Sequence, residues 1–161
     1  MKIGLRSATG SDHPHLAVMN AQLIKDEGSR KPMSLDDLAA RFQHWSAESW
    51  QVMIIEAREE TVGYSVFNIQ PDEYKPQGRV VYVRQFYIAP EHRGRGLGTQ
   101  ALDCLVDKVF PKGARLEADV LETNPSGAQF WIRAGFRPYY TRLVRVPDTS
   151  NQDTPRRSDS R

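Results

Sequence analysis

The chain has 161 residues, enough for one domain with a buried core, and its 39% hydrophobic and 26% charged content is that of a folding sequence. A formal net charge of +2 is too small to argue for nucleic acid or a membrane surface as a partner. Cys104 stands alone, which excludes an internal disulfide, and no apolar run is long enough to span a bilayer. The opening MKIGLRSATGSDHPHL carries no hydrophobic block of signal-peptide type, so a cytoplasmic protein is expected.

Ile3 and Leu5 alternate with Lys2, Gly4 and Arg6, which predicts a short first strand. Thr9, Ser11 and Asp12 offer helix caps, Pro14 suits a first turn, and His15 to Lys25 has helical spacing. The run DEGSRKP breaks that helix. Ser34 with Asp37 resembles a capping box and opens a second helix, roughly Leu35 to Ser46. The period then changes. WQVMIIEA and EETVGYSVFNIQ predict two strands across a Glu-Glu-Thr turn, and DEYKPQG a loop.

Arg79 to Ile88 has apolar residues on both faces, as a central strand would. A helix follows from about Gly96 to Phe110 and stops before Pro111. ARLEADVL predicts another strand, NPSGAQFWIRAGF a capped helix ending at Gly135, and RPYYTRLVRV a last strand. Residues 147–161, PDTSNQDTPRRSDSR, are polar and aperiodic and predict a disordered tail after a domain spanning 1–146. The order implies the α/β (α+β) class, with a mixed sheet flanked by helices.

Between the central strand and the next helix lies Arg93-Gly94-Arg95-Gly96-Leu97-Gly98. A helix N-terminus presents amides without internal partners and roughly half a positive charge. Glycines at 94, 96 and 98 let an anion approach the backbone, and Arg93 and Arg95 supply donors suited to phosphate oxygens. This composition predicts a pyrophosphate cradle. The dinucleotide pattern G-x-G-x-x-G and the P-loop pattern are both absent. A flexible arginine-rich surface turn is the plainer alternative.

FYIAPEHRGRGLGTQAL resembles the acetyl-CoA-binding motif of the GCN5-related N-acetyltransferases (the GNAT family), with Arg93, Gly96 and Gly98 at the motif positions. Asn124, Trp131, Gly135 and Phe136 match the spacing of the family's second motif, and the likeness runs from about Lys2 to Val146. The resemblance implies a GNAT-like fold, with a single mixed, mostly antiparallel sheet that splays beside the central strand. It implies that the backbone of Arg93, Gly94, Arg95, Gly96, Leu97, Gly98 and Thr99 holds the pyrophosphate of acetyl-CoA, bound as co-substrate. Phe86, Tyr87 and Ile88 would pair with the pantetheine arm, the Phe86 amide would face the thioester oxygen, Asn124 would contact the cofactor, and Trp131 would pack beside its sulfur end.

The expected reaction is transfer of an acetyl group to a primary amine by direct attack in a ternary complex. An amine of pKa near 10.4 needs a proton acceptor, and the developing oxyanion needs a fixed donor. The leaving thiol, of pKa about 8.5, gains roughly 2 kcal/mol at most from an acid. Many relatives have Tyr as that acid where Trp131 stands; an indole N–H cannot serve. Either no acid is needed, or Tyr139 or Tyr140 reaches in from the last strand, edge-strand packing being the plainer role for both.

Arg84 and Gln85 interrupt the apolar strand and sit beside the expected thioester, so both are candidates for the acceptor cleft. A structural pair of Arg84 with Glu56 or Glu117 is the equal alternative, and Glu56 is a candidate base. A covalent route through Cys104, which falls within the apolar pattern of its helix, is disfavoured. His13, His15, His44 and His92 share no metal-ligand spacing, so no metal is expected. The expected partner is a small-molecule or peptide amine. Dimers occur widely in the family, so a homodimer is compatible with the resemblance, although no stretch here argues for one. A non-catalytic acyl-CoA-binding module of the same fold is the second functional reading; phosphoryl transfer is disfavoured, because no acidic cluster suited to Mg²⁺ accompanies the turn.

Overall fold

The computed structural model describes residues 2–28 and 31–147. Five strands form one sheet in the order β1-β2-β3-β4-β5: β1 (Ile3–Ser7), β2 (Gln51–Ala57), β3 (Glu60–Pro71), β4 (Arg79–Ile88) and β5 (Arg115–Ala118). The first four pair antiparallel and β5 runs parallel to β4. This is the mixed, mostly antiparallel sheet expected. Four helices cover it: α1 (His13–Glu27), α2 (Leu35–Ala47), α3 (Leu97–Lys108) and α4 (Pro125–Arg133).

Strand alternation distributes the core between the two sheet faces. Tyr64, Val66 and Tyr87 pack against Leu16 and Leu23 of α1 and Phe42 and Trp45 of α2. The opposite residues, Phe67, Val81 and Val83, meet Leu105 and Phe110 at α3. Each fully buried leucine or phenylalanine contributes roughly 1.5–3 kcal/mol by leaving water. Glycine is required at one crossing: a Cβ on Gly63 of β3 would stand 2.1 Å from the Tyr87 carbonyl oxygen of β4. Cys104 is half-buried, beside the cluster of Ile3, Ile55 and Leu97.

Ser34 caps α2 by accepting the Asp37 amide (3.1 Å), but the Asp37 carboxylate takes the Ser34 hydroxyl instead of closing a reciprocal box. Thr9 and Asp12 form that box ahead of α1.

Two departures bear on the site. β5 ends at Ala118, so Asp119, Val120 and Leu121 of the predicted strand leave the sheet. The predicted last strand, 137–146, does not form: Pro138 has no amide to donate, β5 offers an edge of four residues, and the segment is held by side chains instead. Arg115 lies under the Tyr139 ring (4.3 Å), and Tyr140 and Arg142 lean on Asp119. Leu143, Val144 and Val146 are 77–90% exposed. Residues 148–161, the bulk of the predicted tail, lie outside the described residues.

Candidate active site

β4 runs from a flat sheet into a cleft because of its own register. Phe67 pairs with Val83 and Val66 with Gln85, which leaves Arg84 as an extra, unpaired residue: a β-bulge. The ladder to β5 ends at Val83 and Ala118, one residue before it. A bulge bends its strand, raises the local twist and re-aims a side chain. Beyond it β4 and β5 part, and a cleft of about 500 Å³ opens between them. That volume is in the range of small-molecule sites.

The free edge of β4 can be read from the ladder. The Ala89 amide donates to the Val62 carbonyl (2.9 Å), and Tyr87 pairs with Tyr64, so residues 89 and 87 direct their backbone groups to β3. Alternation in an antiparallel ladder turns the N–H and C=O of Phe86 and Ile88 the other way, into the cleft. The Ile88 carbonyl is taken by Nε of Arg93 (2.7 Å). The amides of Phe86 and Ile88 and the carbonyl of Phe86 line the wall without a strand partner, as a segment awaiting an extended ligand would.

At one end the glycine turn enters α3. Gly94 and Gly96 have φ of 75° and 74°, the left-handed region in which glycine is favoured. The first bond of α3 runs from the Gln100 amide to the Gly96 carbonyl (3.1 Å). The amides of Leu97, Gly98 and Thr99 precede it and have no partner within the helix. Gly94, Gly96 and these three residues line the cleft. Bare amides at a helix N-terminus fit an anion.

The two arginines of the turn do other things. Arg93 is spent internally: besides Ile88 it binds Asp26 of α1 (2.6 Å) and lies over the Tyr87 ring (5.4 Å). It fastens the turn to α1 and to the end of β4. Arg95 is exposed and lies apart from the lining. The missing Cβ of Gly98 serves packing as well, since one would sit 3.1 Å from the Phe130 ring.

The far wall comes from α4. Asn124 caps it, its Oδ1 accepting the Gly127 amide (3.0 Å), and lines the cleft. Phe130 stacks on Phe86 (5.4 Å between centroids, 10° between planes). Trp131 packs edge-on against Phe130 and Phe136 and also reaches the cleft. It is both core and wall.

At the other end stand Arg84, Gln85 and Asp119. Gln85 accepts the Tyr64 hydroxyl (2.9 Å), which fixes its amide on the α1/α2 face. Burial drives the Tyr64 hydroxyl well above the usual phenol range. Asp119 accepts the Tyr82 hydroxyl (2.8 Å), and burial, then this carboxylate, push the Tyr82 phenol up to about 12. Arg84 is exposed and pairs with neither Glu56 nor Glu117; those carboxylates hold Arg6 (2.8 Å) and Arg115 (2.8 Å). It lies over Trp45 and Trp50 instead, 5.1 Å from each ring centre.

Phe86, Tyr87, Ile88, Arg93, Gly94, Gly96, Leu97, Gly98, Thr99, Asn124 and Trp131 thus meet at one cleft with Arg84 and Gln85. Tyr139 is not among the cleft residues; its ring is 69% exposed and rests on Arg115. Tyr140, 59% exposed, is set outside the lining as well. Glu56 is bound to Arg6 two strands away. Asp119 was missed because it reads as part of a strand. Its position at the carboxyl end of a parallel strand, where crevices open in α/β sheets, was the available signal. Among the described residues no group of three or more His, Cys, Asp or Glu could hold a metal ion, and no helix is long and apolar enough to cross a membrane.

A family model described as the acetyltransferase (GNAT) family matches residues 18–136. Thialysine N-epsilon-acetyltransferase of Bos taurus is 28% identical over 75 residues, which span 46% of this chain and 43% of that relative, less than half its length. Three solved structures share the fold. A possible acetyltransferase from Clostridium difficile 630 has a TM-score of 0.71 at 14% identity, covering 92% of this chain and 99% of its own. Ribosomal-protein-alanine N-acetyltransferase from Brucella melitensis biovar Abortus 2308 has a TM-score of 0.71 at 15% identity, covering 91% and 100%. A predicted acetyltransferase from Clostridium acetobutylicum, solved with acetyl-CoA, has a TM-score of 0.69 at 19% identity, covering 90% and 96%.

Proposed function

The chain belongs to the acetyltransferase (GNAT) family, and from that premise we propose that it transfers an acetyl group from acetyl-CoA to a primary amine by direct attack. The observation that carries this reading is the parting of β4 from β5 just past the bulge, which leaves the Phe86 and Ile88 backbone facing a cleft that ends on unpaired α3 amides. The residues suit the co-substrate: bare amides for a diphosphate at one end, an extended edge for an amide-bearing arm in the middle. Acetyl-CoA supplies the activated acyl group.

The amides of Leu97, Gly98 and Thr99 bind the diphosphate, aided by the positive end of α3. The Phe86 amide lies on a strand braced by β3, so it can receive negative charge on the thioester oxygen without rearranging; a lost donor of this kind costs roughly 3–4 kcal/mol. Trp131 and Phe130 exclude water from the acyl end. Asp119, at the acceptor end, takes the amine proton through a water molecule, and solvent protonates the departing thiolate. Tyr139 has no part in the reaction, and no covalent step through Cys104 is needed.

Calorimetry with CoA and a CoA-release screen over amines test this reading. CoA should bind, and Gly96→Glu, which puts a charged side chain on a left-handed residue in the cradle, should weaken it by about a hundred-fold or more. Asp119→Asn should lower kcat/KM by roughly a hundred-fold while leaving CoA affinity within about three-fold. No heat with CoA would end the reading. CoA binding without release across the amine panel would favour the binding module, to which Trp131 at the usual tyrosine position already gives support.

A further inference from the structure

Arg84 has no role in the steps above, yet the fold places it with care. It is the surplus residue of the β4 bulge, on the strand that lines the cleft. Its guanidinium lies over Trp45 from α2 and Trp50 from the turn before β2, at 5.1 Å from each. Arg6, Arg93 and Arg115 each hold a carboxylate at 2.8 Å or less, whereas among the described residues no carboxylate or carbonyl lies within bonding distance of Arg84. Ring contacts draw on the cation's charge and leave its N–H donors unspent. Arg84 is therefore a held cation with free donors, at the acceptor end of the cleft.

We infer that Arg84 binds a carboxylate carried by the acceptor, so that the substrate class is an amino acid or another amine bearing a carboxylate. The inference rests on the acyl-transfer reading above and names its substrate class. Two indoles fix the guanidinium, so less rotamer entropy is lost when an anion docks. Asp119 stands at the same end of the cleft. That carboxylate disfavours a phosphate dianion at this end, whereas a singly charged carboxylate matches one guanidinium.

Matched pairs of acceptors test this. The CoA-loaded protein is titrated calorimetrically with ω-amino acids of two to six carbons and with n-alkylamines of the same lengths. At least one carboxylate member should bind about ten-fold or more tightly than its alkylamine. Arg84→Gln should bring that ratio near one, Arg84→Lys should leave it intermediate, and Arg133→Gln, which removes another cation lining the cleft, should leave the ratio unchanged. Thermal unfolding checks that each variant folds.

Equal affinities across every pair would overturn the inference, as would a preference that survives Arg84→Gln or an absence of binding by either class. Tighter binding of O-phosphoethanolamine than of any carboxylate would overturn it in favour of a phosphate. Loss of CoA binding itself, read in the same instrument, marks failure of the acyl-transfer reading instead.

Discussion

Two residues outside the cleft lining show how the sheet is held. Gly63 lies behind β4, and any Cβ there meets the Tyr87 carbonyl at 2.1 Å. Gly63→Ala must push β4 outward at Tyr87, between the two residues whose backbone faces the cleft. Overpacking of this kind costs typically 1–3 kcal/mol, and we expect a drop in Tm together with weaker CoA binding. A variant with parental CoA affinity would mean that β4 yields elsewhere. Asp12 works at the other edge of the sheet. The Arg6 guanidinium, bound at 2.8 and 2.9 Å, and the Thr9 amide hold its carboxyl well below the usual range. A depressed folded value means that this stability is present in full above the unfolded value of about 3.9 and is lost as pH falls below it. Arg6 is 40% exposed, so solvent screens the pair and about 1 kcal/mol is a fair magnitude. Urea unfolding should find Asp12→Asn less stable than the parent by that amount at pH 7, and the gap should narrow at pH 3. An equal gap at both values would assign the loss to the cap alone.

Among elements, those that obey a strong period were legible in the sequence. β4 was readable to the residue, and α2 to within one residue of its end, because burial on defined faces fixes their patterns. The glycine turn into α3 was legible too, since Gly94 and Gly96, both left-handed, stand just ahead of an amphipathic pattern. The bulge was not. Inserting one residue into a strand leaves the hydrophobic run intact, and only the pairing with β3 shows that Arg84 is extra. The internal partners of Arg93 were not legible, for a related reason. Composition says that positive charge gathers in the turn, but Asp26 on α1, distant in sequence, decides where the Arg93 guanidinium goes.

At the scale of the whole molecule, the mixed sheet and its flanking helices followed from element order, while the C-terminal edge did not. RPYYTRLVRV alternates as a strand should, yet a pattern states only what a segment could pair with, never that an edge is there. With β5 cut to four residues so that the cleft can open, the segment has little to pair with. The matched family residues end at 136, just before it. Opening the cleft and shortening the sheet's last ladder are one structural event.

That event has a consequence for how the protein could be edited. Val83 and Gln85 face consecutive residues of β3, so excising position 84 would leave every other pair in step and no side chain on the wrong face. Frameshifting a buried strand is ordinarily ruinous; here the shorter chain should fold with a Tm within a few degrees of the parent. What it would lose is the kink. β4 would run on alongside β5, and CoA should no longer bind in a calorimetric titration. Undiminished CoA affinity in that deletion would mean that something other than the extra residue pries the two strands apart.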